Sequence, residues 1–402
     1  MGNKHIPKIR FDEFNNIWNE TKLGEIYEIY SGNTPSRSDN MNYQNGEIPW
    51  IKTTDLNNSI ICSNEEKISV YGATKLKLLP ENSVLIAMYG GFNQIGRTGL
   101  LAYPATINQA LAALMPVNEI NPNFLLNFLN FKKESWRNVA ASSRKDPNIT
   151  KNDVEKFKIS FPSLEEQSAI GSLFRTLDDL LASYKCNLAN YQSLKVTMLS
   201  KMFPKVGQTV PEIRLDGIEG EWTIKRADEI FKSVSEKNRA SLPVLSASQV
   251  DGMVLRDEIG IDIKYDEAAL NNYKVVKPGQ FVIHLRSFQG GFALSKLEGI
   301  TSPAYTIIDF IDKKNNIPDF WNSILTSRDF IKRLETVTYG IRDGKSISFK
   351  DFSSLKFAYP ELEEQQAIGA YFSNLDQLIT SYQDIITQLE TLKKKLLQDT
   401  FI

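Results

Sequence analysis

The stretch from Phe161 to Phe203 occurs twice in this chain, and that duplication limits the fold more than any other feature. FPSLEEQSAIGSLFRTLDDLLASYKCNLANYQSLKVTMLSKMF returns as YPELEEQQAIGAYFSNLDQLITSYQDIITQLETLKKKLLQDTF between Tyr359 and Phe401. Roughly 18 of about 43 positions are identical without a gap, far more than chance gives within one chain. Apolar residues fall at alternating steps of four and three: Ile170, Phe174, Leu177, Leu181, Tyr184, Leu188, Tyr191, Met198 and Met202. The second copy places Ile368, Phe372, Leu375, Ile379, Tyr382, Ile386, Leu389 and Leu396 to match. This spacing predicts two long helices paired along a coiled-coil seam, against the plainer reading of two amphipathic helices on separate domains. Lys195 and Lys393 put one polar residue at the same seam position in each copy, which weakens pairing but fixes register. Ser163 and Glu166 have the spacing of a capping box just after Pro162, whereas Glu361 replaces the serine in the second copy. Pro204 stops the first helix after Met202 and Phe203.

A second, fainter repeat precedes each helix. Pro7 to Phe11, Trp18 and Glu25 to Tyr27 recur as Pro211 to Leu215, Trp222 and Glu229 to Phe231. Leu79 to Ile86 faces Lys277 to Ile283, each a turn entering a strand, and Ile149 to Asp153 faces Ile347 to Asp351. Short β-rich runs with Gly and Asn turns fill each globular part, and single helices are expected at Asn123–Ala140 and Asp319–Val337. The expected fold class is α+β: two similar domains, each a mixed β-sheet with helices, separated by two long helices in an antiparallel coiled coil, with a pseudo-two-fold internal repeat. The boundaries expected are 1–160, 161–203, 204–358 and 359–402. A seam of about 32 residues is roughly 48 Å long, or about one to one and a half turns of B-DNA. Such a device suits a target made of two short sequences with a fixed gap.

Charge leaves the partner open: 47 basic against 48 acidic side chains give a net charge of -1, so any basic surface must be local. Cys62 and Cys186 lie far apart without nearby histidine, which fits neither a disulfide nor a zinc site and points to a reducing cytoplasm. No apolar run approaches 18 residues and no leader pattern is present, so neither membrane insertion nor secretion is expected.

Three enzyme-like patterns break on inspection. Gly91 to Thr98 nearly fits a phosphate-binding loop, but Arg97 stands where lysine is needed, and Gln289 to Phe292 in the second half lacks the pattern. A glycine turn between strands explains it better. Asn121 to Phe124 resembles the catalytic loop of adenine methyltransferases without its second proline; Ile317 to Phe320 shares only a proline at a helix start. Pro318-Asp319 with Asp343 and Lys345 imitates a metal-dependent nuclease, but the first copy has Pro122-Asn123 and Lys145 to Pro147 there. His5 and His284 are isolated, which leaves no histidine acid or base. No catalytic residue and no metal ligand is therefore expected.

The motif P-x-L-E-E-Q-x-A-I-G-x-x-F-x-x-L-D-x-L, at 162–180 and 360–378, closely resembles the specificity subunit of type I restriction-modification systems. The resemblance covers the whole chain, as recognition domain, conserved helix, second recognition domain and second conserved helix. It implies that each domain reads half of a bipartite site in double-stranded DNA. The paired helices would set the spacer and dock two modification (methyltransferase) subunits, and restriction subunits would complete the nuclease. The chain itself would carry no chemistry and hold no cofactor, with S-adenosylmethionine, ATP and Mg on other subunits. The alternatives are a standalone restriction enzyme or methyltransferase with fused recognition, and a coiled-coil scaffold that never touches DNA.

Bases are read by side chains such as Arg, Asn and Gln, and phosphates are held mostly by Lys, Arg, Ser and Thr. Candidates in turn-rich segments of the first domain are Arg37, Asn93, Gln94, Arg97, Arg144 and Lys145, with Arg97 implied by the resemblance to meet a phosphate. In the second domain they are Lys237, Arg239, Gln249, Arg286, Gln289, Arg342 and Lys345. The helix-seam candidates are Leu177, Leu181, Tyr184, Leu188 and Lys195, with Leu375, Ile379, Tyr382, Ile386 and Lys393.

Overall fold

The computed structural model describes residues 6–91, 93–141, 148–248, 251–259, 267–284, 291–337 and 348–401. It divides into two units, Met1–Cys186 with Asp384–Ile402, and Asn187–Gln383. Each is α+β, and each contains part of both long helices, Leu164–Lys201 and Leu362–Thr400.

In the first unit a five-stranded sheet runs in the order Ile29–Ser31, Leu111–Leu114, Val84–Ala87, Thr98–Leu101, Ser59–Ile61. Its first four strands are antiparallel, and Ser59–Ile61 adds on in parallel. Val84–Ala87 is an unbroken apolar run because both of its faces are covered. Val84 and Ile86 enter one core with Phe124, Trp136 and Phe174, while Leu85 and Ala87 enter another with Ile51 and Ile107. That is the two-residue alternation of a strand serving two cores. Asn19–Lys22 pairs antiparallel with Lys158–Phe161, which brings the start of the unit against the strand that leads into the long helix.

The second unit repeats the plan. Phe231–Val234, Thr306–Phe310, Phe281–Ile283 and Phe292–Leu294 form a four-stranded antiparallel sheet in the same order. Phe281 and Ile283 face one core, Val282 the other. Thr223–Arg226 closes on Lys356–Tyr359. The turn before the inner strand places Asn82 (φ 65°) in one unit and Gly279 (φ 85°) in the other in the left-handed region, where these two residue types cost least.

One expectation is corrected in both units. The helix expected at 123–140 is two, Pro122–Phe131 and Lys133–Ala141, and that expected at 319–337 is Pro318–Leu325 and Arg328–Val337. The break turns an aromatic residue inward. Trp136 stacks on Phe157 with ring centroids 3.8 Å apart, and Phe330 packs on Phe292 at 5.4 Å and on Phe357 at 5.6 Å.

The long helices pack antiparallel. Within the first unit Phe174 stacks on Phe401 at 5.9 Å, Asp178 pairs with Lys393, and Lys185 meets Glu390 at 2.6 Å. Within the second, Phe203 stacks on Phe372 at 5.9 Å, Lys195 pairs with Asp376, and Tyr191 meets Tyr382 edge-on at 5.2 Å. Leu177, Leu181, Leu375 and Ile386 are buried, and Tyr184, Leu188, Ile379 and Tyr382 are half-buried. The helix ends leave the seam for the domain cores. Ile170 and Phe174 join the first, while Met202, Ile368 and Phe372 join the second.

Candidate nucleic-acid interface

The helix motif is the strut that ties down the start of each unit. Glu166 is almost fully buried, and its carboxylate accepts from Arg10 Nε at 2.7 Å, Arg10 Nη2 at 2.6 Å and Trp18 Nε1 at 3.3 Å. In the second unit Glu364 accepts from Arg214 Nε at 2.9 Å, Arg214 Nη2 at 2.5 Å and Trp222 Nε1 at 3.1 Å. This corrects the capping-box reading. Ser163 Oγ accepts weakly from the Glu166 N–H at 3.5 Å, but the glutamate side chain is spent on Arg10 and Trp18. A buried carboxylate beside a guanidinium is worth more there than at a helix end open to water.

The neighbouring glutamine ties down the loop before the next helix. Gln167 Nε2 donates to Pro162 O and Glu119 O, and Gln167 Oε1 accepts from Asn121 N–H at 2.8 Å. Gln365 repeats this with Pro360 O, Asn315 O and Ile317 N–H. Gly171 then lets the long helix approach the start of Pro122–Phe131, since a Cβ there would sit 3.1 Å from Asn123 Cβ. At Gly369 it would sit 2.9 Å from Phe320 N. Asn121 to Phe124 is thus a helix start whose N-cap, Asn121, accepts from Asn123 and Phe124 N–H, with Pro122 in the first turn.

Docked helix ends complete the strut. In the first unit the Lys8 and Ile9 N–H groups donate to Asp399 O at 2.9 and 3.0 Å, and in the second Ile213 N–H donates to Lys201 O at 3.0 Å. Both helices therefore have a terminal carbonyl satisfied by the same recurring P-x-I-R segment. Phe401 packs among Trp18, Phe124 and Phe174, as Phe203 packs among Trp222, Phe320 and Phe372.

Of the DNA-contact candidates, Arg144, Lys145, Gln249, Arg286, Gln289, Arg342 and Lys345 lie outside the described residues. Asn93, Gln94 and Arg97 share one turn joining Val84–Ala87 to Thr98–Leu101, so the phosphate-loop likeness is a strand-to-strand turn. Asn93 is exposed, and Arg97 Nε donates to Asn93 O at 3.1 Å. The turn is braced from two sides. Ile149 N–H donates to Met88 O at 2.9 Å, and Gly96 lies against Trp136. In the second unit Phe330 and Phe352 both pack on Phe292, the first residue of the strand Phe292–Leu294. Lys237 and Arg239 are exposed on the loop after Phe231–Val234, with Arg239 3.9 Å from Glu236.

Arg37 sits in a cluster that composition did not reveal. Its guanidinium is 2.5 Å from Glu66 and lies over the rings of Tyr43 at 4.3 Å and Trp50 at 5.3 Å, and Lys52 reaches the same carboxylate at 2.7 Å. Burial pushes the Glu66 carboxyl up, but hydrogen bonds from Arg37 and Lys52 outweigh it and hold the group below its usual range. The hydrogen bond to Glu66 raises Arg37 in turn. Sequence reasoning missed Glu66 and Lys52, which nothing in local spacing marks. It also missed Arg10 and Arg214, although Arg, Trp and Glu recurring together in both halves was a usable signal.

The lysines of the seam are not bare polar positions, because each meets the aspartate of the L-D-x-L motif of the other helix, Lys195 with Asp376 and Lys393 with Asp178. Among the described residues no helix is long and apolar enough to cross a membrane.

Two α+β units on one plan, each strutted by parts of two antiparallel helices, define an internally duplicated subunit. The chain belongs to the type I restriction modification DNA specificity domain family, whose model matches residues 15–190 and 219–391. It is 24% identical to the type I restriction enzyme MjaVIII specificity subunit of Methanocaldococcus jannaschii, over 94% of this chain and 91% of that protein. It is 28% identical to the EcoR124I/EcoR124II specificity subunit of Escherichia coli over a shorter stretch, 40% of this chain and 41% of that protein. Its fold is similar to that of the type I restriction-modification S subunit from M. genitalium, with a TM-score of 0.65 at 15% identity, covering 98% of this chain and 99% of that one. The chain is a DNA specificity subunit of a type I restriction-modification system, non-catalytic within its complex, with cofactors used by other subunits.

Proposed function

We propose that each unit reads one half of a bipartite target in double-stranded DNA, and that the paired helices fix the spacer between the halves. The observation that carries this reading is the duplicated strut: Arg10, Trp18 and Glu166 in one unit, Arg214, Trp222 and Glu364 in the other, in the same geometry. A single rigid frame is kept, while the turns mounted on it differ in sequence, as two different half-sites require. The recognition domains are residues 1–160 and 204–358, and the spacer helices 161–203 and 359–402. By residue type Asn93, Gln94, Gln249 and Gln289 suit base edges, and Arg37, Arg97, Arg144, Lys145, Lys237, Arg239, Arg286, Arg342 and Lys345 suit phosphates.

Two modification subunits dock on the helices in this reading, and restriction subunits join them, in the cytoplasm. Equivalent exposed leucines support two equivalent sites: Leu180 and Leu392 in the first unit, Leu378 and Leu194 in the second. Each recurs at the same place in the helix repeat, where a helix facing only water has no use for leucine. Mapping of methylated bases in cells carrying this chain and its modification subunit tests the proposal. A split motif with a fixed gap is expected; a continuous motif, or none, would overturn it.

A further inference from the structure

Beside the turn that joins two strands of the sheet, the helix Lys133–Ala141 of the first unit carries a pair of cations. Lys133 and Arg137 are one turn apart on it, and Trp136 between them packs against Gly96. Arg97 follows that glycine directly, so three cations border one turn. Among the described residues Arg137 is paired with Glu134 alone, 2.7 Å away on the exposed side of the same helix. Burial lowers the pKa of Lys133, and the positive charges of Arg137 and Arg97 add to this while Glu134 opposes it. A fold gains no stability from such an arrangement. The same spot also gathers unpaired polar atoms. Gln94 Oε1, Trp136 Nε1 and Arg137 Nε are buried without hydrogen-bond partners, three of the five such side-chain atoms among the described residues. The second unit uses its comparable cation internally: Arg333 Nη2 donates to Lys356 O at 2.8 Å and its guanidinium lies 5.7 Å from the Phe357 ring centroid.

We infer that Arg97, Lys133 and Arg137 form a backbone clamp for DNA, holding phosphates beside the turn whose exposed Asn93 faces the bases. The inference rests on the half-site reading proposed above and adds a division of labour within the first unit. Phosphate contacts fix position without reading sequence, so the clamp contributes affinity on any duplex, and its contribution falls with salt.

The test uses the full chain assembled with its modification subunits, and two duplexes, one with the methylated motif and one without it. Binding is titrated between about 50 and 200 mM salt for the wild type, for Lys133→Gln with Arg137→Gln, and for Lys133→Arg with Arg137→Lys. Losing two phosphate contacts should lower the slope of log affinity against log salt by about 1.8, so the wild-type advantage shrinks roughly tenfold across that range. Both duplexes should lose affinity alike, and the charge-keeping pair should restore the slope. An unchanged slope in the glutamine variant would overturn the clamp, as would a charge-keeping pair as weak as the glutamine variant. A wild-type complex that methylates no split motif would instead overturn the half-site reading.

Discussion

Replacing Glu166 by alanine should unfold the first unit at a much lower temperature while sparing the second. The carboxylate is 1% exposed and takes three hydrogen bonds, two of them from a guanidinium whose side chain is 12% exposed. Alanine leaves Arg10 as a partly buried cation without its acid, and strips Trp18 Nε1 of its acceptor. Breaking a buried pair from one side costs about 3–5 kcal/mol. For a unit of this size, about 2–4 °C per kcal/mol translates this into a fall of roughly 6–20 °C. Scanning calorimetry of the full chain should show the first unit's transition displaced, and Glu364→Ala should displace the other. Glu166→Gln keeps the shape and one acceptor, and should fall between alanine and wild type. A displacement below about 2 °C, or both transitions moving together for one substitution, would refute the view of the motif as two separate struts.

Three further outcomes follow from the geometry. Double-mutant cycles on Lys195 with Asp376 and on Lys393 with Asp178 should each give a coupling of about 0.2–1 kcal/mol, because these half-exposed pairs are screened; zero coupling in denaturant titrations would remove them as register devices. Gly369→Ala should destabilise, since its Cβ would press on the Phe320 backbone at about 1–3 kcal/mol against a helix-propensity gain of about 1 kcal/mol. Gly171→Ala, which meets the Asn123 side chain first, should be nearly neutral, and equal melting shifts for the two would contradict this. Glu66 has its carboxyl held below the ordinary value, so its contribution to stability is complete above that value and is lost as pH falls through the lowered one. Glu66→Gln should therefore flatten the acid limb of the stability curve; parallel curves for mutant and wild type would count against the Arg37–Glu66–Lys52 cluster.

The duplicated helices and the α+β plan were readable because repeats and apolar spacing are properties of the chain itself. The turn entering a strand at Leu79 to Ile86 was legible in the sequence, and Pro122 and Pro318 marked two helix starts. What the spacing concealed was partnership across long separations. Glu166 looks like a capping residue by its distance from Ser163, yet its partners are Arg10 and Trp18, about 150 residues away. Lys195 and Lys393 read as polar gaps in a seam, because only the antiparallel pairing brings Asp376 and Asp178 to them. The helix breaks at Lys132 and at Thr326–Ser327 answer to aromatic packing on the sheet rather than to local propensity. The turns proposed to read bases carry the least sequence signal, since a solvated loop and a DNA contact use the same residue types.

The central claim is that two units read two half-sites independently. Exchanging residues 30–140 for the same segment of a relative with a different target tests it most directly, because the strut residues Arg10, Trp18 and Glu166 all lie outside the exchange. Methylation mapping of the chimaera, assembled with the unchanged modification subunit, should show one half of the motif replaced, with the other half and the gap between them retained. A folded, active chimaera in which both halves change, or neither does, would contradict the account.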